Sequence, residues 1–486
     1  MVQGPRLLAS SCYVGHMEIT ITSNLTLGQV PEGLKKQFIE ENTFDNPEYR
    51  MRKALGKWLK GTPEKLKLWS FDKDTQTMQL PRGYLPAVIA ISRREDVVFH
   101  IYDQTVETWA NFNLEVNGAL EGYQEEALEK LLHYPTGTLV GPPGCGKTNI
   151  LLSAIPELKT TALIIVHTKE LFEQTVQRCK DWLGVTPGVI GSGKWKPDDI
   201  TVAMIQTLAR RDLSEITDFF GAILTDEGHH VAAKTWSSVL EQFPARYKYA
   251  FTATPQRKDG YTFLIWRYSG GKTAEIDPQD VVDAGRTVLP TFLFRSTNYQ
   301  YRLDDKGDWP IMLNDLAFDE NRNTEILAEI RESVPHCESA LVLTDRVAHA
   351  ELLARRLSRW DFDPVLLHGK LRAEDRRIAM GKVRAGTKLT IATIGIVGEG
   401  VDVPGWDLLY LVTPIAGGAR TVQAIGRVAR AKEGKSTASV IDFVDIYVDG
   451  YRENKEGKKE YYYPLREAAT KRRRLYKIKK TQGMLF

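Results

Sequence analysis

Two tandem α/β domains, each a parallel sheet flanked by helices, with a small mixed α+β domain in front of them, is the fold class that the sequence predicts. Three observations carry it. From Asn117-Gly118 onward, short apolar strand candidates alternate with helical stretches, the texture of repeated βα units. The alternation is headed by Gly141-Pro142-Pro143-Gly144-Cys145-Gly146-Lys147-Thr148, a G-x-x-x-x-G-K-T loop set between the apolar run Thr136 to Val140 and the helix-like run Asn149 to Leu158. After a weaker connecting stretch, Trp266 to Asp308, the alternation starts again without a second loop of that form.

Composition sets the limits. The chain has 486 residues, 42% hydrophobic and 26% charged, which gives room for about three domains. A net charge of +3 is too small to attract nucleic acid globally, so such a partner must be held by local patches. Cys12, Cys145, Cys179 and Cys337 are far apart and form no C-x-x-C pair, which argues for a reducing, intracellular setting and against a zinc site. No apolar run is long enough to span a membrane. Residues 1–17, with a second start at Met17, read as a leader or a cloning remnant.

Taken in order, residues 18–116 form the mixed N-terminal domain. Glu18 to Thr22 alternates like a strand, and Pro47 to Lys60 reads as a basic helix. Leu66 to Trp69, Gln79 to Tyr84 and Ala87 to Ile91 read as short strands and turns. Arg50, Arg52, Lys53, Lys57, Trp58, Lys60, Lys65, Lys67 and Trp69 interleave cations and rings, which would suit phosphate contact and base stacking, but a solvated face over two core tryptophans is the favoured reading. In residues 117–285 the strands are Thr138–Val140, Ala162–His167, Thr201–Ile205, Ala222–Thr225 and Lys248–Thr252, with a helix Lys169–Leu183 ended by Gly184. In residues 286–450 they are Ala340–Thr344, Pro364–Leu367, Leu389–Thr393, Leu408–Val412 and Ser439–Phe443, with helices running to Trp360, from Ala373 and from Arg420. Residues 451–486 form a tail whose basic stretch, Leu465 to Lys480, suits either a nucleic-acid backbone or a solvated end.

The loop chemistry follows from phosphate geometry. Glycines let backbone N–H groups close round phosphate oxygens at a helix N-terminus, so residues Gly141 to Thr148, with Asn149, are expected to bind the nucleotide. Lys147 then reaches the β- and γ-phosphates, and the Thr148 hydroxyl ligates Mg²⁺. Gly221 to Thr225 leads into Asp226-Glu227-Gly228-His229-His230, which offers Asp226 to hold Mg²⁺ and Glu227 to activate water. Neighbouring side chains diverge and no third ligand is near, so His229 and His230 are not read as a metal site.

At these residues the chain resembles superfamily 2 helicases. Asp226 to His229 is similar to their D-E-x-H box, and the remaining motifs stand in that family's order. Gln124 resembles the adenine-reading glutamine. His167-Thr168-Lys169-Glu170-Leu171 with Gln174 resembles motif Ia, and Ile205-Gln206-Thr207-Leu208 resembles a strand-contact element. Thr252-Ala253-Thr254-Pro255 resembles motif III, Thr344-Asp345-Arg346 and His368 motif IV and its neighbour, Thr393 with Gly400 and Asp402 motif V, and Gln423 to Arg430 the Q-x-x-G-R-x-x-R of motif VI. The extended Thr252 to Gly260 stretch and the second histidine look like the branch containing XPB and phage recombination helicases of the UvsW kind.

The resemblance implies two RecA-like domains, ATP and Mg²⁺ as cofactors, and Lys147, Asp226, Glu227, Arg427 and Arg430 as the catalytic set. Gly400 and Asp402 join the nucleotide site, and His229, Thr252, Thr254 and Gln423 couple it to the track. Thr168, Lys169, Gln206, Thr207, Thr344, Arg346, His368 and Thr393 are the implied DNA contacts. The implied activity is ATP-dependent unwinding or remodelling of forked and branched DNA in replication, recombination and repair, by a monomer in the cytoplasm, the host's if phage-encoded. An RNA helicase and a duplex-DNA translocase that separates no strands are the rival expectations.

Overall fold

Alternation of apolar and polar side chains builds the first sheet. Met17, Ile19 and Ile21 of the strand Met17–Ile21, and Leu25 and Leu27 of Asn24–Gly28, point inward onto Leu34, Phe38, Val88 and Ile91 from two covering helices. The computed structural model describes residues 16–475 apart from 55, 57, 111–113, 115, 227–232, 254–260, 305–307, 399–404, 415–418, 433–434, 436 and 454–456. In this N-terminal sheet the order is Ser70–Asp72, Thr77–Pro81, Asn24–Gly28, Met17–Ile21, Phe99–Asp103, antiparallel except for the last pair. One expectation fails here: Ala87 to Ile91 lies in a helix, Leu85–Arg94. Its β-branched run mimics a strand, but Val88, Ile91 and Ser92 are the buried positions, a helical spacing, and Pro86 sits in the first turn with Arg93 and Arg94 in the last. The helix Pro47–Ala54 is also shorter than expected, with Gly56 in the left-handed region just beyond it.

Both large sheets are α/β layers of mainly parallel strands, as the alternation predicted, the first with an antiparallel edge strand, Lys194–Lys196 against Gly188–Gly191. The first runs Lys194–Lys196, Gly188–Gly191, Ile200–Met204, Ala162–Val166, Ala222–Asp226, Tyr247–Thr252, Thr136–Val140, Lys272–Glu275. Its central strands are buried throughout, which is why they read as unbroken apolar runs. The register sets Thr252 beside Val140 and Asp226 beside Phe251, so the phosphate loop, Asp226 and Thr252 leave the sheet at one edge. The second sheet runs Pro290–Leu303, Ala438–Glu453, Leu408–Leu411, Ala340–Thr344, Leu389–Thr393, Val365–Leu367, with Lys459–Tyr462 added antiparallel to Ala438–Glu453. Its core gathers Leu341, Leu343, Ile394, Trp406 and Leu409 on one face and Ile326, Ile330, Leu353 and Tyr410 on the other.

The stretch Trp266 to Asp308 is more structured than expected. It completes the helix Thr262–Ser269, adds the edge strand Lys272–Glu275 and the helix Pro278–Asp283, and holds the whole 14-residue strand Pro290–Leu303. The tail is docked, not loose, as far as it is described. In the helix Pro464–Leu475, Leu465 and Ala469 are buried and Arg472 makes a buried bidentate ion pair with Asp442 (2.8 and 2.9 Å).

The N-terminal sheet is fastened to the first large sheet. Buried Arg82 donates to the carbonyls of Ala245 and Arg246, and burial brings its pKa down to about 10. A Cβ at Gly83 would stand 2.4 Å from the Trp266 carbonyl oxygen, so only glycine fits there. Phe44 stacks on Phe263 at 3.9 Å, and Lys248, fully buried, donates to the carbonyls of Ser23 (3.1 Å) and Leu240 (3.0 Å).

Candidate functional site

The phosphate loop takes its shape from three glycines. Gly144 and Gly146 have φ of +86° and +79°, values that side chains with a Cβ rarely adopt, and a Cβ at Gly141 would stand 2.7 Å from Cys145 Sγ. Lys147 opens the helix Lys147–Leu158, and its ammonium donates to the carbonyls of Gly141 (3.0 Å) and Pro142 (3.3 Å). Buried Cys145 serves through its carbonyl, which accepts from Gln124 Nε2 (2.7 Å) and the Tyr123 hydroxyl (3.2 Å). Gln124 also accepts at Oε1 from the Glu121 N–H (3.0 Å), closing a capping box, so it braces the loop as well as lining the cleft.

A cleft of about 690 Å³, a size suited to a small-molecule ligand, lies over this loop. Gln124, Thr148, Asn149 and Asp226 line it from the first sheet, and Gln423, Arg427 and Arg430 from the second. The two sides touch: a Cβ at Gly426 would stand 2.2 Å from Pro143 Cβ, so the helix Ala419–Val428 lies directly on the phosphate loop. Arg427 is buried, and Arg430 has its pKa lowered by burial and then by repulsion from Arg178. Thr148 and Asp226 offer a hydroxyl and a carboxylate to the same space. Two hard oxygen donors are a poor cage for calcium or zinc, but they suit Mg²⁺, which keeps waters and takes substrate phosphates.

Sequence reasoning missed Arg178, Trp182 and Arg286 at this cleft, and read His167, Leu171 and Gln174 as part of motif Ia without placing them here. His167, Leu171, Gln174, Arg178 and Trp182 line it from the helix Lys169–Leu183 and its entry. Their spacing of three and four was the available signal for a polar helix face turned to the site. Arg286, in the link between the sheets, forms an ion pair with Glu121, while the link pairs with the exit of motif VI through Val288 N to Ala429 O (2.8 Å) and Ala431 N to Arg286 O (3.1 Å). No local pattern marks that stitch. Glu227, His229, Thr254, Gly400 and Asp402 lie outside the described residues. Thr252 is described and buried, with its carbonyl accepting from the Gly141 N–H (3.0 Å).

The expected nucleic-acid contacts divide by exposure. Thr168 caps the helix Lys169–Leu183, accepting from Leu171 N (3.1 Å), and Lys169 reaches solvent with Glu173 at 3.7 Å. Gln206 Nε2 donates to the His167 carbonyl (2.7 Å), joining the Gln206-Thr207 turn to the Thr168-Lys169 turn at one sheet edge. Thr344, Thr393 and His368 are buried at the matching edge of the second sheet. The Thr344 hydroxyl is bonded to His349 Nδ1 and Thr413 Oγ1, both at 2.9 Å, and so shapes the edge; Arg346, two residues on, is partly exposed. In the N-terminal domain Arg50 and Lys65 both pair with Asp45, and Arg52 with Glu48, while Trp69 donates to Thr43 Oγ1. Trp58 stays 75% exposed.

Residues 117–257 match the family described as type III restriction enzyme, res subunit, and residues 322–432 match the helicase conserved C-terminal domain. The chain is 28% identical over 308 residues to the probable helicase D10 of Escherichia phage T5, covering 63% of this chain and 66% of that one, just under two thirds of the relative. It is 26% identical over 374 residues to the DNA 3'-5' translocase XPB2 of Sulfurisphaera tokodaii, covering 68% of this chain and 83% of the relative. The structure of the ATP-dependent Type ISP restriction-modification enzyme LlaBIII bound to DNA shares the fold with a TM-score of 0.50, at 17% identity over 72% of this chain and 30% of that one. Among the described residues no helix is long and apolar enough to cross a membrane.

Proposed function

The chain is a superfamily 2 helicase of the branch that contains XPB, and on that premise we propose that it unwinds or remodels forked and branched DNA in replication, recombination and repair, driven by ATP. The observation that carries the ATP-driven part is the seat of Gly426 on Pro143, which brings Arg427 and Arg430 from one sheet over the phosphate loop of the other. Phosphoryl transfer spreads charge over the γ-oxygens, and cations delivered from a second domain stabilise that charge only while the cleft is closed. The backbone N–H groups of the loop and Lys147 bind the phosphates, Thr148 and Asp226 hold Mg²⁺, and Glu227 orients the attacking water. Mg²⁺, when bound, neutralises charge on the β- and γ-oxygens. Closure with ATP and release after hydrolysis then move the two sheet edges past each other along one strand's phosphates. DNA as the track is supported by the translocase relative, and branched DNA by the extended motif III.

The test measures ATP hydrolysis and strand separation by wild type and Lys147→Ala on single-stranded, duplex, forked and four-way DNA and on RNA. Strongest stimulation and separation on branched DNA, with turnover lost about a thousand-fold in the variant, is the expected result. Stimulation by RNA alone would give the RNA-helicase reading, and hydrolysis on DNA without strand separation the pure-translocase reading.

A further inference from the structure

Two strands of the second sheet outrun it. The strand Ala438–Glu453 pairs with Leu408–Leu411 only as far as Asp442, but with Pro290–Leu303 as far as Gly450, and Lys459–Tyr462 joins on its other side. At about 3.3 Å per residue, Tyr447 stands about 17 Å and Tyr451 about 30 Å beyond the edge at Asp442. One face of this three-stranded extension is covered: Tyr299, Leu303 and Val448 pack against Met312 and Leu316 of the helix Trp309–Phe318 and Leu465 of the helix Pro464–Leu475.

The opposite face carries Tyr447, Asp449 and Tyr451 by strand alternation, with Gln300 and Arg302 beside them in register. Tyr461 lies directly across from Tyr451, ring centroids 6.3 Å apart. Tyr447 and Tyr461 are 51% and 52% exposed. The Arg302 guanidinium lies 5.8 Å from the Tyr451 ring and 5.4 Å from the Tyr461 ring, and donates to the Tyr461 hydroxyl (2.9 Å); Lys459 Nζ is 3.9 Å from the Tyr451 ring.

We propose that this tyrosine face is a stacking platform for single-stranded DNA leaving the motor edge, a surface that deepens the helicase reading and rests on it. Half-exposed rings on a sheet, with cations beside them, match the two halves of a single strand: unstacked bases to lie on the exposed Tyr447 and Tyr461 and phosphates to meet Arg302 and Lys459. A duplex keeps its base faces stacked inside and offers the rings nothing. The position fits the same occupant, because the platform rises from the edge that carries Thr344 and Thr393, paired with each other in the same sheet. By strand register two acids share this face, Asp449 across from Arg302 and Glu453 across from Lys459.

The experiment uses the full chain and measures binding of a labelled oligo-dT, of RNA of matching sequence and of blunt duplex DNA by wild type, Tyr447→Ser/Tyr461→Ser and Tyr447→Phe/Tyr461→Phe. ATPase activity without nucleic acid is the check on folding, since none of these residues lines the nucleotide cleft. Serine is expected to weaken oligo-dT binding about ten-fold or more while phenylalanine keeps it and duplex binding is unchanged. Oligo-dT affinity unaffected by serine, equal loss with phenylalanine, or tighter binding of RNA than of DNA would each overturn the platform. A wild-type ATPase that no nucleic acid stimulates would instead overturn the helicase reading beneath it.

Discussion

His349 shows how one buried residue ties the second sheet's edge to stability. It sits between Thr344 at the end of the strand Ala340–Thr344 and Asn323 on the helix Glu320–Ser333. Nδ1 accepts from the Thr344 hydroxyl and Nε2–H donates to Asn323 Oδ1 (2.9 Å), a pattern only the neutral ring satisfies. Burial, and then the Arg322 guanidinium, push its pKa down to about 3. The unfolded chain therefore takes up a proton near the ordinary value of about 6.5 while the folded chain does not, so stability is lost as pH falls from there toward about 3. From pH 7 to pH 5 this group alone is expected to cost about 2 kcal/mol. Urea unfolding of wild type and His349→Gln at the two pH values checks it: the stability gap between them should narrow at pH 5, and parallel curves would remove His349 as the cause.

At the scale of elements, legibility followed locality. The helix Lys169–Leu183 was readable to the residue because both ends carry their own signals, the Thr168 cap and Gly184 at φ +68°. The phosphate loop was readable because its glycines answer a local backbone demand. Leu85–Arg94 was misread because propensity favoured a strand and tertiary burial chose the helix face. The long strand Ala438–Glu453 was seen only over its apolar half, since its outer half is held on one side by Pro290–Leu303, more than a hundred residues away, and on the other by the polar, tyrosine-rich strand Lys459–Tyr462. Arg286 and Glu121 were invisible for the same reason: they meet only when distant segments come together. Gly426 gives this scale its prediction. Alanine there suits the helix Ala419–Val428 better than glycine does, but its methyl collides with Pro143 across the cleft. Gly426→Ala is expected to keep the wild-type melting temperature and lose about a hundred-fold in ATP turnover, the cost of holding Arg427 and Arg430 about 1 Å out of place. Full turnover would show that this contact is not the one used in catalysis.

Across the whole molecule, a net charge of +3 leaves little long-range attraction for DNA, and the structure cancels much of the local charge that the sequence displays. Asp45 and Glu48 neutralise Arg50, Lys65 and Arg52, and Arg472 of the basic tail is buried against Asp442. Among the described residues, four cations stand at the proposed track: Lys169 and Arg346 at the sheet edges, Arg302 and Lys459 on the tyrosine face. Each phosphate neutralised on a single strand contributes about −0.7 to the slope of log affinity against log salt. Four contacts therefore give a slope of about −3, and oligo-dT affinity should fall about fifty-fold between 50 and 200 mM salt. Titration of a labelled oligo-dT across that range reads the slope directly. A value near −8 would mean that the N-terminal domain and the tail hold the strand as well, and a value near zero would mean that stacking acts without the edge cations; either result would overturn an edge-bound strand held by these few charges.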